Sequence, residues 1–414
     1  MIMSRAYANA GSGRDEHWLD NPDKLNTATL SAETCCSYNM LRLADYLYSW
    51  TGDKKYLDAY EHIYLNHILA SMDPDTGYKM YQTSTKFGYS KIFHTKDNSF
   101  WCCTATGVES FVQLSYGVYY ETDDALTVSM FIPSEVKYKG VTIVQSRNLY
   151  SEKSALFTVK NDGSFKIRLR DPEWAESAVI KLNGETLDIK SENGYYVIDR
   201  EWKKGDTVEY ILPFEAYLTK LQGSERTYAL MYGPLLYVVD LGNKNIAEIQ
   251  ANQTDVGSAY TGKIKSTIVT DLENLAASLT ESSENGYIEL TFKTENQGDL
   301  TFVPMMNLFH KRFGMYLDYH DSENEIGDNN NDNNNNDNNN NDNKEPDITT
   351  GNSGSVTTVT PDIPNTPNTG DIVNPSDDKN NASKGKIAAA AVIAGAVGAV
   401  AAAAVVFVIR KKKK

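Results

Sequence analysis

The stretch Phe100-Trp101-Cys102-Cys103 sets two adjacent cysteines directly behind two aromatic side chains. The other two cysteines, Cys35 and Cys36, are adjacent as well, and Cys35 stands two residues after a carboxylate in Glu33-Thr34-Cys35-Cys36. Soft thiolates with one nearby carboxylate are what a tetrahedral zinc ion requires. Disulfides are the other use for four cysteines. Neighbours rarely bridge each other, but a bridge of the Cys35–Cys102 kind between segments is sterically allowed. Spacing by itself leaves both open.

Around the two cysteine pairs the hydrophobic period is helical. A first helix is predicted from Glu33 to Trp50, with Met40, Leu43, Ala44, Leu47 and Trp50 on one face. Thr51-Gly52-Asp53 ends it, with Gly52 suited to the position after a helix C-terminus. A second helix places Leu57, Tyr60, Ile63, Tyr64, His67 and Ile68 at helical spacing. Asp73-Pro74-Asp75-Thr76-Gly77 is a turn, Tyr78 to His94 reads as extended, and a third helix fits Thr104 to Tyr120. Residues 1–32 read as loop. Helices joined by short loops indicate an all-α module over residues 1–123, cut short on its N-terminal side.

From Asp124 the period changes to two. Leu126 to Ile132, Ser164 to Arg170, Ala178 to Leu182, Tyr195 to Asp199 and Thr207 to Leu212 alternate, and Asn183-Gly184 is a hairpin signal. Short strands at this spacing predict a β-sandwich over residues 124–222. A second β-rich domain is expected over 223–320, with Ala229 to Asp240 its most apolar part. Asp328 to Asn343 contains only Asn and Asp, which cannot build a core. Residues 321–386, ending in a Thr/Pro/Asn/Ser stalk, are therefore expected to be a disordered spacer. No EF-hand spacing is present in it.

The chain has 414 residues and a net charge of −15, which argues against nucleic acid as a partner. Ile387 to Ile409 is uncharged, and Arg410 and four lysines follow. At about 1.5 Å per residue this run spans a hydrocarbon core of about 30 Å. Residues 387–409 are thus expected to form a transmembrane or sorting-signal helix, with the basic tail 410–414 in the cytoplasm. Upstream, Pro367-Asn368-Thr369-Gly370 resembles the signal at which sortases join Gram-positive proteins to peptidoglycan, and Thr369-Gly370 would be the cleavage point. A plain membrane anchor is the alternative. The N-terminus lacks the apolar region of a signal peptide. The expectation is a surface protein whose chain here lacks its true start.

Glu33, Cys35, Cys102 and Cys103 would compose a three-thiolate, one-carboxylate zinc shell, and a thiolate held by zinc can serve as ligand or nucleophile. Glu16 lies in Gly13-Arg14-Asp15-Glu16-His17-Trp18, where a carboxyl beside an aromatic wall can act as general acid; most loop glutamates are merely solvated. His17, His62, His67 and His94 read as packing or hydrogen-bonding residues, and Trp174 and Trp202 as core. These residues carry a resemblance. Glu33-Thr34-Cys35-Cys36-Ser37-Tyr38-Asn39-Met40-Leu41, Tyr64-Leu65-Asn66-His67-Ile68-Leu69-Ala70-Ser71 and Phe100-Trp101-Cys102-Cys103 resemble the zinc-dependent β-L-arabinofuranosidases of glycoside hydrolase families 127 and 146. So do Leu169-Arg170-Asp171-Pro172-Glu173-Trp174-Ala175, Leu182-Asn183-Gly184, Trp202-Lys203-Lys204-Gly205-Asp206 and Gly233-Pro234-Leu235.

The resemblance implies a fold, a site and a reaction. The fold is a partial (α/α)6 barrel followed by β-sandwich domains. The site has Zn2+ held by Glu33, Cys35, Cys102 and Cys103, with Cys102 also the nucleophile, Glu16 the general acid and base, and Tyr81 a substrate contact. Cys36 has no assigned role. The reaction is retaining release of L-arabinofuranose from a plant-type glycan. Because the family's barrel begins far upstream of the Glu16 loop, the resemblance also implies a C-terminal fragment, inactive by itself. A non-catalytic, surface-anchored β-sandwich protein with structural zinc is the other reading.

Overall fold

The structure, a computed structural model, describes residues 5–18, 21–252, 260–283 and 285–322. The expected apolar span 387–409, the basic tail, Thr369-Gly370 and all of the spacer beyond Ser322 lie outside the described residues. Among the described residues no helix is long and apolar enough to cross a membrane.

Helix α1 (Thr34–Thr51) begins just after Glu33 and stops at Gly52, whose φ of 71° is left-handed and suits a residue without a Cβ. Helix α2 (Lys55–Ile63) runs on into a single π-helical turn, Tyr64–Ile68. Helix α3 (Cys102–Gly117) starts two residues earlier than the periodicity suggests, so Cys102 and Cys103 fall in its first turn. The helices pack closely: a Cβ at Gly117 would come within 2.1 Å of the Tyr60 ring.

The buried side of α1 is not its apolar stripe. Thr34, Ser37, Tyr38, Leu41, Ala44, Asp45 and Tyr48 are buried, whereas Met40, Leu43 and Leu47 are half-buried and Trp50 is 74% exposed. The mixed side wins because its polar groups find partners there. Tyr48 meets Tyr120 edge-on with centroids 4.5 Å apart, and the Tyr120 hydroxyl donates to Asp45 at 2.9 Å. The apolar stripe lines an open groove of about 750 Å³ with His62, Trp174 and Tyr217.

Residues 5–18 and 21–33 are irregular apart from a 3-10 turn at Pro22–Lys24, as their composition suggests, but they are not peripheral. Tyr7, Ala8, Asn9 and Ala10 are buried, and the Ala8 N–H donates to the Tyr316 hydroxyl at 2.7 Å. The extended segment 78–94 pairs in short pieces, through Glu33–Gln82 and Met80–Phe93 bridges and the strand Tyr89–Ser90.

Three sheets follow. One has four strands in the order Tyr195–Trp202, Gly163–Arg170, Ala125–Val128, Tyr119–Glu121. Another has six, in the order Ser134–Tyr138, Val141–Gln145, Ser154–Val159, Thr207–Ile211, Val179–Leu182, Glu185–Thr186. Their inner faces meet, for example where Phe165 packs on Tyr138 at 5.2 Å between ring centres. Trp202 is fully buried, as expected. The strand expected at 126–132 stops at Val128. The Asn183-Gly184 turn has φ of 53° and 88°, the two left-handed centres of a tight hairpin.

The third sheet has ten strands, with Leu235–Asp240 between Thr227–Tyr232 and Gly298–Pro304. Tyr89–Ser90 joins it through Arg312–Gly314, so the segment leading to α3 is part of a C-terminal sheet. The architecture is mixed α/β, with several sheets and few helices.

Two polar braces tie helices to sheets. Arg170 is fully buried and reaches Asp58 and Glu61 of α2, each at 2.5 Å. Glu61 also accepts from Trp174 Nε1 at 2.8 Å and the Tyr150 hydroxyl at 2.7 Å. Trp174, expected in the core, is therefore a half-buried hydrogen-bond donor to α2. In the π turn, Asn66 donates to the Pro234 carbonyl at 2.9 Å and accepts from the Leu236 N–H at 2.7 Å. That gives the Tyr64–Ser71 and Gly233–Leu235 motifs one shared physical purpose.

Candidate active site and metal centre

Two helix N-termini converge at this site. Cys35 lies in the first turn of α1, and Cys102 and Cys103 in the first turn of α3. Unpaired N–H groups and the helix dipole favour negative charge at such positions. The backbone aligns the remaining parts: Thr34 N–H donates to the Tyr81 carbonyl and Thr83 N–H to the Ser31 carbonyl, both at 2.9 Å. This short ladder brings Tyr81 alongside Glu33.

One ligand atom from each of Glu33, Cys35, Cys102 and Cys103 lies within 4.8 Å of all the others. Cys103 Sγ is 3.1 Å from Cys35 Sγ, 3.9 Å from Cys102 Sγ and 3.6 Å from a Glu33 carboxylate oxygen. All four cysteines are free thiols, so the disulfide alternative does not hold. With Zn–S near 2.3 Å, a tetrahedral site needs sulfurs about 3.8 Å apart. The Cys102–Cys103 edge matches that spacing and the Cys35–Cys103 edge is tighter. These donors fit zinc.

Sharing of protons within the cluster polarises it. The hydrogen bond from Cys103 draws the Cys35 thiol down to about 7, against the opposing effect of burial. The same bond, with burial, pushes Cys103 up. Cys102 is raised by burial and by Cys35, yet its side chain is the exposed one. Cys36 stays outside the cluster, half-buried, and burial pushes its thiol up to about 11.

Glu16 stands at the tip of a two-residue turn. Arg14 and His17 exchange backbone hydrogen bonds of 3.0 and 2.9 Å, and the central Asp15 and Glu16 have φ of 50° and 63°. Left-handed non-glycine residues tend to occur where a side chain is held for a purpose. Here the carboxylate accepts from the Tyr81 hydroxyl, and that hydroxyl is also 3.8 Å from Cys102 Sγ. A hydrogen bond added to this distance keeps the carboxylate and the sulfur within about 7 Å of each other. Tyr81 is held edge-on by Trp101 at 5.8 Å, and its hydroxyl is pushed up by the Glu16 carboxylate.

The structure thus brings together Glu16, Tyr81, Glu33, Cys35, Cys102 and Cys103. It keeps the histidines apart from the cluster. His67 is fully buried between Ser37 and Thr83, and burial pushes it down to about 4. Sequence reasoning missed Thr106, whose hydroxyl lies 3.1 Å from Cys35 Sγ. Its place four residues after Cys102 on a predicted helix is the signal that could have found it. A second group, Asp73, Asp75 and His310, also converges, with His310 paired to both aspartates at 3.2 and 3.3 Å.

The chain is similar to known proteins. Residues 1–116 match the family described as beta-L-arabinofuranosidase, GH127 catalytic domain, and residues 125–214 match the GH127 middle domain. No curated protein matches the chain. Among solved structures, a GH127 beta-arabinofuranosidase aligns with a TM-score of 0.60 and 19% identity, covering 76% of this chain and 54% of that one. A GH127 beta-L-arabinofuranosidase from Geobacillus stearothermophilus T6 aligns at 0.55 and 18%, covering 76% and 55%. A structure described as a glycoside hydrolase aligns at 0.60 and 18%, covering 76% and 59%. The chain therefore spans little more than half the length of the structures it matches. On the two family matches, and with the fold in agreement, the chain belongs to glycoside hydrolase family 127.

Proposed function

We propose that the protein is a retaining β-L-arabinofuranosidase acting on an arabinose-containing glycan. In this reading α1 to α3 are part of an (α/α)6 barrel, Glu33, Cys35, Cys102 and Cys103 are the zinc ligands, and Tyr81 contacts the sugar. The observation that carries the reading is that one hydroxyl, that of Tyr81, touches the Glu16 carboxylate and approaches the exposed Cys102 sulfur. When bound, zinc would hold the thiols here deprotonated at neutral pH.

The chain's own residues then divide the work. Cys102 sulfur bonds to the anomeric carbon as the glycosidic C–O bond breaks, and Glu16 gives its proton to the departing oxygen. Glu16 next takes a proton from water, whose oxygen bonds to the anomeric carbon while the sulfur leaves as thiolate. Two displacements at one carbon retain its configuration. Buried Cys103 and half-buried Cys35 are less accessible to a sugar.

An aryl β-L-arabinofuranoside with an acidic phenol as leaving group tests this, because it needs little help from Glu16. Peptide mass spectrometry should find a pentosyl thioether on Cys102 that is lost in Cys102→Ser. No adduct, or one on another cysteine, would sink the proposal. One observation favours the non-catalytic reading with a structural zinc centre instead: the cavity beside Glu16, His17, Trp18 and Glu33 measures about 30 Å³, too small for a sugar. Zinc binding without any adduct would support that second reading.

A further inference from the structure

Thr106 lies one helical turn beyond Cys102 on α3, and its Oγ1 faces two acceptors. Cys35 Sγ is 3.1 Å away and the Cys102 carbonyl oxygen 3.3 Å away. The hydroxyl has one proton to give. Bonding to the carbonyl four residues back is what a helical Thr does by default. A thiolate is the better acceptor, since a hydrogen bond to an ionised group is roughly twice as strong as a neutral one. Thr106 also comes from the helix that supplies Cys102 and Cys103, whereas Cys35 comes from α1. A bond to Cys35 therefore fixes the relative position of thiols on two helices.

The thiolates of such a centre are not equally supplied with hydroxyl donors. Cys35 Sγ has Thr106 Oγ1 at 3.1 Å, whereas the Tyr81 hydroxyl stands 3.8 Å from Cys102 Sγ. We infer that Thr106 is a positioning residue of the metal centre. Its hydroxyl donates to Cys35 Sγ, fixes the direction of that sulfur and draws off part of its charge. Cys102 is left as the thiolate with the most electron density for carbon. This rests on the zinc reading above, because the sulfur outcompetes the carbonyl only when ionised.

Thr106→Val keeps the shape and removes the donor; Thr106→Ser restores the donor. The metal-free full chain and both variants would be titrated with zinc alone against a chromophoric chelator. The same proteins would be titrated with cobalt(II), whose sulfur charge-transfer band reports thiolate ligation. The wild type should bind one zinc, Thr106→Val should bind it about 10-fold more weakly, and Thr106→Ser should recover. The cobalt band should shift in Thr106→Val, because a sulfur that loses a hydrogen bond donates more charge to the metal. A Thr106 with only a packing role would leave the band in place. Unchanged affinity and band in Thr106→Val overturn this inference and leave the zinc reading intact. A wild type that binds no zinc overturns both. If Thr106→Val fails to fold, Thr106→Ala serves for the same comparison.

Discussion

Glu16 is held at a conformational cost. Both central residues of its turn are left-handed, which costs a non-glycine residue about 1–2 kcal/mol, and Glu lacks the short polar side chain that lets Asp tolerate it. Against that cost stands the hydrogen bond from Tyr81. The two effects separate in a double-mutant cycle. With Tyr81 already replaced by Phe, Glu16→Gly should raise stability by about 0.5–1 kcal/mol, strain relief net of the glycine's extra chain entropy. In the wild-type background the gain should be smaller, because the substitution also leaves the Tyr81 hydroxyl without its acceptor. Urea unfolding of the four proteins measures the difference. Equal gains in both backgrounds would mean that the Tyr81–Glu16 bond holds nothing in place.

At the scale of elements, α2 is fastened to the sandwich by charge. Arg170 and Glu61 are buried together, with Asp58 half-buried beside them, and removing one member of such a group leaves a buried charge uncompensated. Arg170→Met should therefore cost about 3–5 kcal/mol, seen as a fall in the urea midpoint at unchanged slope. A loss below about 1 kcal/mol would mean that solvent reaches the two carboxylates once the arginine is gone. The brace also shows what the sequence makes legible. Helix lengths, the Gly52 stop and the Asn183-Gly184 hairpin are local, and local period and turn chemistry reveal them. The partners of Arg170 are more than 100 residues away in the chain. The buried face of α1 was hidden for a related reason: its apolar stripe is the obvious face, but the mixed face has the partners. At the site, residue types pointed to Glu33, Cys35, Cys102 and Cys103 as candidate ligands. No local pattern marks a hydroxyl that bridges Glu16 towards Cys102, because Tyr81 and Glu16 meet only through the ladder between residues 31–34 and 81–83.

For the whole molecule, reacting groups and their enclosure are separate matters. Cys102 is exposed, Phe100 before it is fully exposed, Trp18 is 46% exposed, and the nearby cavity of about 30 Å³ is far below the roughly 300 Å³ of a small-ligand pocket. A sugar on such a shelf is not held with its anomeric carbon about 3–3.5 Å from sulfur, and that positioning can account for roughly 7–11 kcal/mol of a barrier. Glycosylation of Cys102 by an activated aryl glycoside would then be slow but visible in one turnover, whereas steady-state release of arabinose would not. Along one stripe of α1, Met40, Leu43 and Leu47 are only half-buried and Trp50 is exposed, and an apolar patch of that kind favours association. The chain by itself should therefore release no detectable arabinose from an ordinary aryl β-L-arabinofuranoside, while iodoacetamide still alkylates Cys102 in the metal-free protein. Sustained turnover that disappears in Cys102→Ser would show that these residues already hold the sugar, and that the open shelf is no obstacle to catalysis.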